Sequence, residues 1–219
     1  MANSKHSIKK ERENFLARVT YRKISEPVAI LLSKTPVTPN QVSCISITSS
    51  ATAGLFFSFG EWTHLVIGYI FMQFTFLMDH VDGNLARHTG KSSAFGSWVD
   101  EISNKLHKFF FVIGLSIGVF RLTDDYLYLV LGSVAVFAWF FAAYISETKR
   151  AFRFKSLFAL TKGTKSSYFP FTLLVNNFFG LLILFNKPDL ALWFISIVSL
   201  NAFQQIYSVR KQWLRENKH

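Results

Sequence analysis

Six long apolar stretches, at about 41–60, 63–82, 97–120, 126–145, 168–186 and 189–208, constrain this chain more than any other feature. Each is close to the roughly 20 residues that an α-helix needs to cross the hydrocarbon of a bilayer. Water is absent from that layer, so the backbone of such a segment must satisfy its own hydrogen bonds, and a helix does so. The expected fold is all-α: a polytopic membrane protein of six transmembrane helices, preceded by an N-terminal amphipathic interfacial helix. Half of the residues are hydrophobic and the mean hydropathy is +0.26, too apolar for an ordinary soluble domain, while 219 residues leave room for one domain. Residues 1–219 are therefore expected to form a single membrane-embedded domain, with 1–40 as a cytoplasmic or interfacial arm, 41–208 as the six-helix bundle and 209–219 as a cytoplasmic tail.

Charge orients the bundle. Three short connections, at 60–62, 121–125 and 186–189, hold only Arg121 and Lys187 of the 24 Lys and Arg residues. The others lie in or beside the opposite connections and the two ends. Basic residues near span ends stay on the cytoplasmic side, so both termini are expected there, in an inner or endoplasmic-reticulum-type membrane. The net charge of +11 is explained by this topology, and no nucleic-acid-reading module accompanies it. The basic start of the chain lacks a short apolar core with a cleavage site, so no secretory signal is expected. Between residues 11 and 34, Phe15, Leu16, Val19, Ile24, Val28, Ile30 and Leu31 recur at roughly helical spacing among basic residues, the pattern of a helix lying on anionic lipid. The single Cys44 excludes an internal disulfide and offers no thiolate metal site.

Residues 78–105 carry the chemistry. Asp79, Asp82 and Asp100 stand at the ends of apolar stretches, where a charge costs on the order of 2–4 kcal/mol at the bilayer centre and less toward the interface, so a functional reason is expected. On one helix Asp79, Asp82, Gly83 and Ala86 share a face, and on the next Gly96, Asp100 and Asn104 recur every fourth residue. Two stripes of oxygen donors beside small residues would form a cage. Clustered carboxylates repel unless cations neutralise them, and hard oxygen donors select ions such as Mg²⁺, Mn²⁺ or Ca²⁺. Mg²⁺ commonly binds through a few carboxylates together with substrate phosphates, and Arg87 offers a bidentate partner for a phosphate.

These residues resemble the signature of the CDP-alcohol phosphotransferase family, D-x2-D-G-x2-A-R-x8-G-x3-D-x3-D. Asp79, Asp82, Gly83, Ala86, Arg87, Gly96 and Asp100 fall in register, and Asn104 stands where the family has its last Asp. The resemblance implies a metal-dependent transferase of phospholipid biosynthesis. It would move a substituted phosphate from a CDP-alcohol, such as CDP-diacylglycerol or a similar CDP-lipid, to an acceptor alcohol and release CMP. It also implies two divalent cations, Mg²⁺ or Mn²⁺, on Asp79, Asp82, Asp100 and Asn104. Donor-nucleotide binding falls to Asp82, Gly83, Ala86, Arg87 and Gly96, with Asn40 in the Thr38-Pro39-Asn40 turn that often opens the first span. A homodimer is implied as well.

Asn104 departs from the pattern at the position of the family's proposed general base. An amide lends a metal one neutral oxygen but cannot take up a proton at neutral pH. Turnover is expected to suffer while cation and donor binding survive. An exchange made to hold substrates without turnover would look like this, and the rival is a natural variant using Glu101 or His107 as base. The alternative function is a non-catalytic CDP-lipid-binding membrane protein; a transporter is the weakest rival, since no paired broken spans point to one. The basic segment after the fourth span is either a topological anchor or an electropositive site for a small alcohol or sugar-phosphate acceptor, with Lys149, Arg150 and Arg153 as candidates.

Overall fold

The computed structural model describes residues 21–151 and 171–200. Among these residues the chain folds into seven helices without a strand: α1 (Arg22–Leu32), α2 (Pro39–Phe57), α3 (Trp62–His88), α4 (Ala94–Thr123), α5 (Leu127–Ala151), α6 (Phe171–Leu184) and α7 (Pro188–Ser199). Helices α2 to α7 fall on the six apolar stretches. Two helices, α4 and the Leu127–Ile145 part of α5, are long and apolar enough to cross a bilayer. Serine and threonine dilute α2, charged residues dilute the end of α3, and α6 and α7 are short over the described residues.

Local chemistry sets the helix ends. Thr38 caps α2 in a reciprocal pair with Gln41: the Gln41 N–H donates to Thr38 Oγ1 at 3.4 Å and the Thr38 N–H to Gln41 Oε1 at 2.8 Å. Pro39 follows in the first turn, where no intrahelical partner for an N–H exists. Ser93 caps α4 by accepting from the Gly96 N–H at 2.9 Å. The three short connections each turn through a residue of positive φ, Gly60 at 81°, Asp124 at 55° and Asn186 at 55°, all types that tolerate the left-handed region.

Helix α2 organises the bundle. It packs along both α3 and α4, whereas α3 and α4 touch each other little. The approach to α4 is backbone to backbone: a Cβ on Gly54 would strike the Phe110 carbonyl, one on Gly114 the Gly54 carbonyl, and one on Gly118 the Phe57 carbonyl. Small residues at a crossing are how helices associate in lipid, where the surroundings are as apolar as the side chains. The core around this crossing holds Ala53, Phe57, Leu65, Met72, Phe111 and Leu115. Ser46, Ser50, Ser103 and Ser116 are buried with it, while Ile70, Phe137, Phe185 and Ile197 point outward. Small polar groups are thus buried among the apolar core residues while bulky apolar groups cover the outside, a surface unlike that of a water-soluble bundle.

Helix α1 lies against α3. The Tyr21 hydroxyl donates to Gln73 Oε1 at 2.6 Å, and its ring stacks on His80 with centroids 5.1 Å apart. Burial, with a smaller push from Tyr69, raises the Tyr21 phenol to about 12, so it remains a donor at neutral pH. Ser25 and Ala29 are buried in the same contact, and Ile24, Ile30 and Leu31 face away from it. The remainder of the expected interfacial helix, Arg153 and the 209–219 tail lie outside the described residues.

Replacing Gly114 by valine forces α2 and α4 apart and is expected to destabilise the fold by about 1–3 kcal/mol. The measurement is thermal unfolding in detergent, where the midpoint falls by several degrees. Gly83→Ala should not lower it, because a Cβ there meets only the Arg87 guanidinium, at an ordinary 3.5 Å, and alanine favours the helix.

Candidate functional site

The acidic residues sit at the end of α3 and the start of α4, and α2 fixes one of them. Asp82 is buried, and Ser43, in the second turn of α2, donates its hydroxyl to Asp82 Oδ2 at 2.6 Å. One turn further along α2, Ser46 Oγ lies 3.0 Å from His107 Nε2 of α4. Successive turns near the start of α2 therefore bond to α3 and to α4. The Thr38 cap starts α2 one turn before Ser43. Asn40 is exposed in the first turn, one turn from the Ser43–Asp82 bond.

Asp79 lies one helical turn before Asp82. Its Oδ1 is shut off from water and has no hydrogen-bond partner among the described residues. A carboxylate oxygen left in that condition is costly, so it marks a place prepared for something to bond to. Asp79, Asp82 and Asp100 lie within electrostatic reach of one another, and Arg87 acts on both Asp82 and Asp100. Among the described residues no group of three or more His, Cys, Asp or Glu side chains converges tightly enough to hold an ion as it stands. The donor set nevertheless fits a hard divalent cation: it is all oxygen, mutually repulsive, and contains one buried oxygen without a partner.

The glycines separate into two kinds. Gly54, Gly114 and Gly118 have backbone where a Cβ would be, whereas a Cβ on Gly83 would meet only the Arg87 guanidinium and one on Gly96 only Ser93 Oγ at 3.3 Å. Packing against backbone accounts for the first kind; beside the acids only the Arg87 and Ser93 side chains stand near the place of the missing one. Arg87 is exposed and donates to Asn84 Oδ1, and the Asn84 amide in turn donates to Ser25 Oγ of α1 at 2.9 Å. Three side chains thus tie the arginine to α1. Ala86 lies partly buried between Gly83 and the end of α3.

On α4 the Asn104 amide donates to the Asp100 carbonyl at 3.0 Å and to Asp100 Oδ1 at 3.4 Å, which places the two side chains on one stripe. A carboxylate at 104 would replace that attraction by repulsion. Of the two rival bases, Glu101 is exposed and paired with Lys105, whereas His107 is buried against Ser46 and Phe111, away from any solvent-borne reactant. Lys149 and Arg150 stand in the last turn of α5, where only the backbone is described.

Sequence reasoning had no place for Ser25, Ser43 or Asn84. The signal existed for Ser43: with Ser46 and Ser49 or Ser50 it recurs at helical spacing along an otherwise apolar stretch, and a polar stripe on such a helix is a face with partners. Ser25 and Asn84 become meaningful only once α1 is known to lie on α3.

Comparison with known proteins bears on this arrangement. Over 148 residues the chain is 28% identical to the bifunctional IPC transferase and DIPP synthase of Archaeoglobus fulgidus, covering 67% of this chain and 27% of that protein. It is 30% identical over 93 residues to the phosphatidylinositol phosphate synthase of Mycobacterium bovis, covering 42% of each, and 30% identical over 111 residues to the archaetidylinositol phosphate synthase of Pyrococcus horikoshii, covering 51% of this chain and 57% of that one. The chain thus spans about a quarter to just over half of the length of these relatives. Its fold is that of the Mycobacterium tuberculosis phosphatidylinositol phosphate synthase with CDP-DAG bound, with a TM-score of 0.65 at 18% identity over 87% of this chain and 94% of the other. The same holds for that enzyme in complex with manganese and citrate, with a TM-score of 0.65 over 87% and 89%. The family model for CDP-alcohol phosphatidyltransferase matches residues 36–203, a stretch that holds α2 to α7 and every residue of the acidic site, and the chain belongs to that family.

Proposed function

We propose that the chain takes a CDP-lipid donor of the CDP-diacylglycerol kind and transfers its substituted phosphate to an acceptor alcohol, releasing CMP in phospholipid synthesis. The observation that carries this reading is the Asp79–Asp82 pair: one carboxylate held by Ser43, the other with a buried unbonded oxygen, beside a Gly83 whose nearest neighbour is the exposed Arg87 guanidinium. The CDP-DAG and the manganese in the mycobacterial neighbours are of the chemistry these residues suit.

In this reading Asp79, Asp82 and Asp100, with the Asn104 carbonyl, hold two divalent cations, Mg²⁺ or Mn²⁺. Bound there, the cations supply charge neutralisation for the diphosphate. Gly83, Ala86 and Gly96 admit the cytidine nucleotide, Asn40 borders it, and Arg87 binds a phosphate oxygen while Asn84 and Ser25 hold the guanidinium in place. The acceptor hydroxyl attacks the β-phosphorus, the bond to the bridging oxygen breaks, and CMP departs with the electron pair. The hydroxyl proton needs a base, and an amide at 104 cannot take it. Asn104 therefore favours a second reading, a CDP-lipid-binding protein with little turnover. Helices α2 to α7 serve as six spans, with the site on the cytoplasmic side, where a soluble acceptor meets a lipid donor, and Lys149, Arg150 and Arg153 draw an anionic acceptor toward it. A homodimer completes the reading.

Asn104→Asp is expected to raise CMP release from CDP-diacylglycerol by about 10²–10⁴-fold in the presence of Mg²⁺ and a suitable acceptor. Equal turnover in the two proteins would refute the role given to position 104. Without divalent ions the same variant should melt at a lower temperature than the parent chain, because its new carboxylate faces Asp100, and added Mn²⁺ should abolish the difference.

Titration of Mn²⁺ followed by electron paramagnetic resonance provides a separate check. Asp79→Asn is expected to abolish tight Mn²⁺ binding while leaving the melting temperature of the metal-free protein unchanged or higher. Undiminished Mn²⁺ affinity in this variant would remove Asp79 from the cation site.

A further inference from the structure

Helix α1 turns one face to α3 and leaves the opposite face open. Tyr21, Ser25 and Ala29 are buried on the inner face. Lys23, Pro27, Ile30 and Lys34 follow one another at intervals of four, three and four residues, a straight stripe on a helix, and with Glu26 and Leu31 they border one shallow hollow on the outer face. Ile24, Ile30 and Leu31 stay 55%, 43% and 66% exposed. An apolar patch rimmed by charged groups marks a contact with another molecule.

The chemistry of the stripe selects that molecule. Aliphatic side chains stand in the middle and an ammonium group at each end, and residues 22–34 hold three basic side chains against one acid. A bilayer surface is the complement: acyl chains beneath anionic headgroups. Position agrees. Residues 33–38 lead from α1 straight to the start of α2, and Ala29 packs with Val42 of α2 and with Val81 and Leu85 near the end of α3, the helix ends that the six-span reading puts at the cytoplasmic boundary.

The inner face of α1 reaches the site. Arg87 carries only donors, so it takes the carbonyl end of the Asn84 amide, and the amide's NH2 end then donates to Ser25 Oγ at 2.9 Å. Ser25 and Asn84 are both buried, so without the serine hydroxyl the NH2 end lacks an acceptor, and turning to find one would take the carbonyl away from Arg87. An exposed arginine has many rotamers, and one fixed bond decides where its guanidinium stands.

We infer that the outer face of α1 is a docking surface for an anionic bilayer and that Ser25 transmits the docking to Arg87 as a positioning residue. The effect on the site rests on the phosphate contact given to Arg87 in the phosphotransferase reading. Lipid that favours the seated helix favours the Ser25–Asn84 bond with it, so anionic lipid tightens the hold on a nucleotide diphosphate. By reciprocity a bound diphosphate tightens the seat of α1.

The test places the full-length chain in nanodiscs of phosphatidylcholine, alone or mixed with phosphatidylglycerol, and titrates cytidine diphosphate calorimetrically at saturating Mg²⁺. Binding is expected to be roughly 5- to 30-fold tighter in the anionic discs. Lys23→Gln combined with Lys34→Gln should remove most of that gain. Ser25→Ala should weaken cytidine diphosphate in anionic discs by a similar factor while Mn²⁺ affinity, read without nucleotide, stays unchanged. In an Arg87→Gln chain Ser25→Ala should cost nothing further, because residues joined in one line of bonds are not additive. A nitroxide on Leu31→Cys, in a Cys44→Ser chain, identifies the occupant: collisions with oxygen but not with a water-soluble nickel complex place it among acyl chains.

Equal affinity in the two kinds of disc, a full gain in the double lysine variant, or a cost of Ser25→Ala that persists beside Arg87→Gln would each overturn the inference. So would a nitroxide reached by the nickel complex, which is then in water, or by neither reagent, which is then against protein. The two readings fail separately. If Asn104→Asp releases no CMP while nucleotide binding keeps its dependence on Ser25 and on lipid charge, only the phosphotransferase reading falls. If CMP is released and Ser25→Ala changes nothing, only the coupling through α1 falls.

Discussion

The contact on which the rest of the structure depends is the crossing of α2 with α4, where Gly54 and Gly114 bring two backbones together with nothing between them. Close approach of this kind fixes the height of one helix relative to the other far better than interlocking large side chains do, since any slide brings a Cβ against a carbonyl. Once α2 is set against α4, its first turns are placed too. Ser43 then stands opposite Asp82 and Ser46 opposite His107. A glycine contact in the middle of the bundle thereby determines which hydroxyl meets which acidic helix at its end.

Buried serines act as connectors throughout. Ser49 donates to the Phe71 carbonyl at 3.0 Å, Ser196 to the Leu131 carbonyl at 3.3 Å, and Ser25 receives the Asn84 amide, so bonds of this type link α2 to α3, α7 to α5 and α1 to α3. Each is worth on the order of 1 kcal/mol. Their value lies in direction: apolar contacts alone leave a helix free to rotate about its axis, whereas a hydroxyl bonded to one carbonyl or carboxylate selects a single rotation. The functional side chains inherit that orientation.

Much of this was legible in the residues. The six apolar stretches located α2 to α7, and the spacing of Asp79, Asp82, Asp100 and Asn104 put the acids on two stripes, because helical periodicity is a local property. What periodicity cannot supply is which stripe faces which neighbour. The two acidic stripes were expected to form one cage; in the structure their helices touch each other little and each packs instead along α2. His107 looked available as a base from its distance to Asn104 along the chain, but one more turn of α4 carries it under Ser46. Gly83 and Gly54 are indistinguishable as letters, and only the three-dimensional packing separates a glycine that lets helices touch from one that leaves room beside the acids.

The slight contact between α3 and α4 has a mechanical consequence. Asp79 and Asp82 ride on one helix and Asp100 on the other, each helix anchored separately to α2, so the two groups of carboxylates behave as the tips of two lever arms with a common fulcrum. A small tilt of either arm changes the gap between the tips by more than it disturbs the glycine crossing near the fulcrum. The gap between the two groups of carboxylates is therefore set by how each helix seats on α2, at the Ser43 bond on one side and at the glycine crossing on the other.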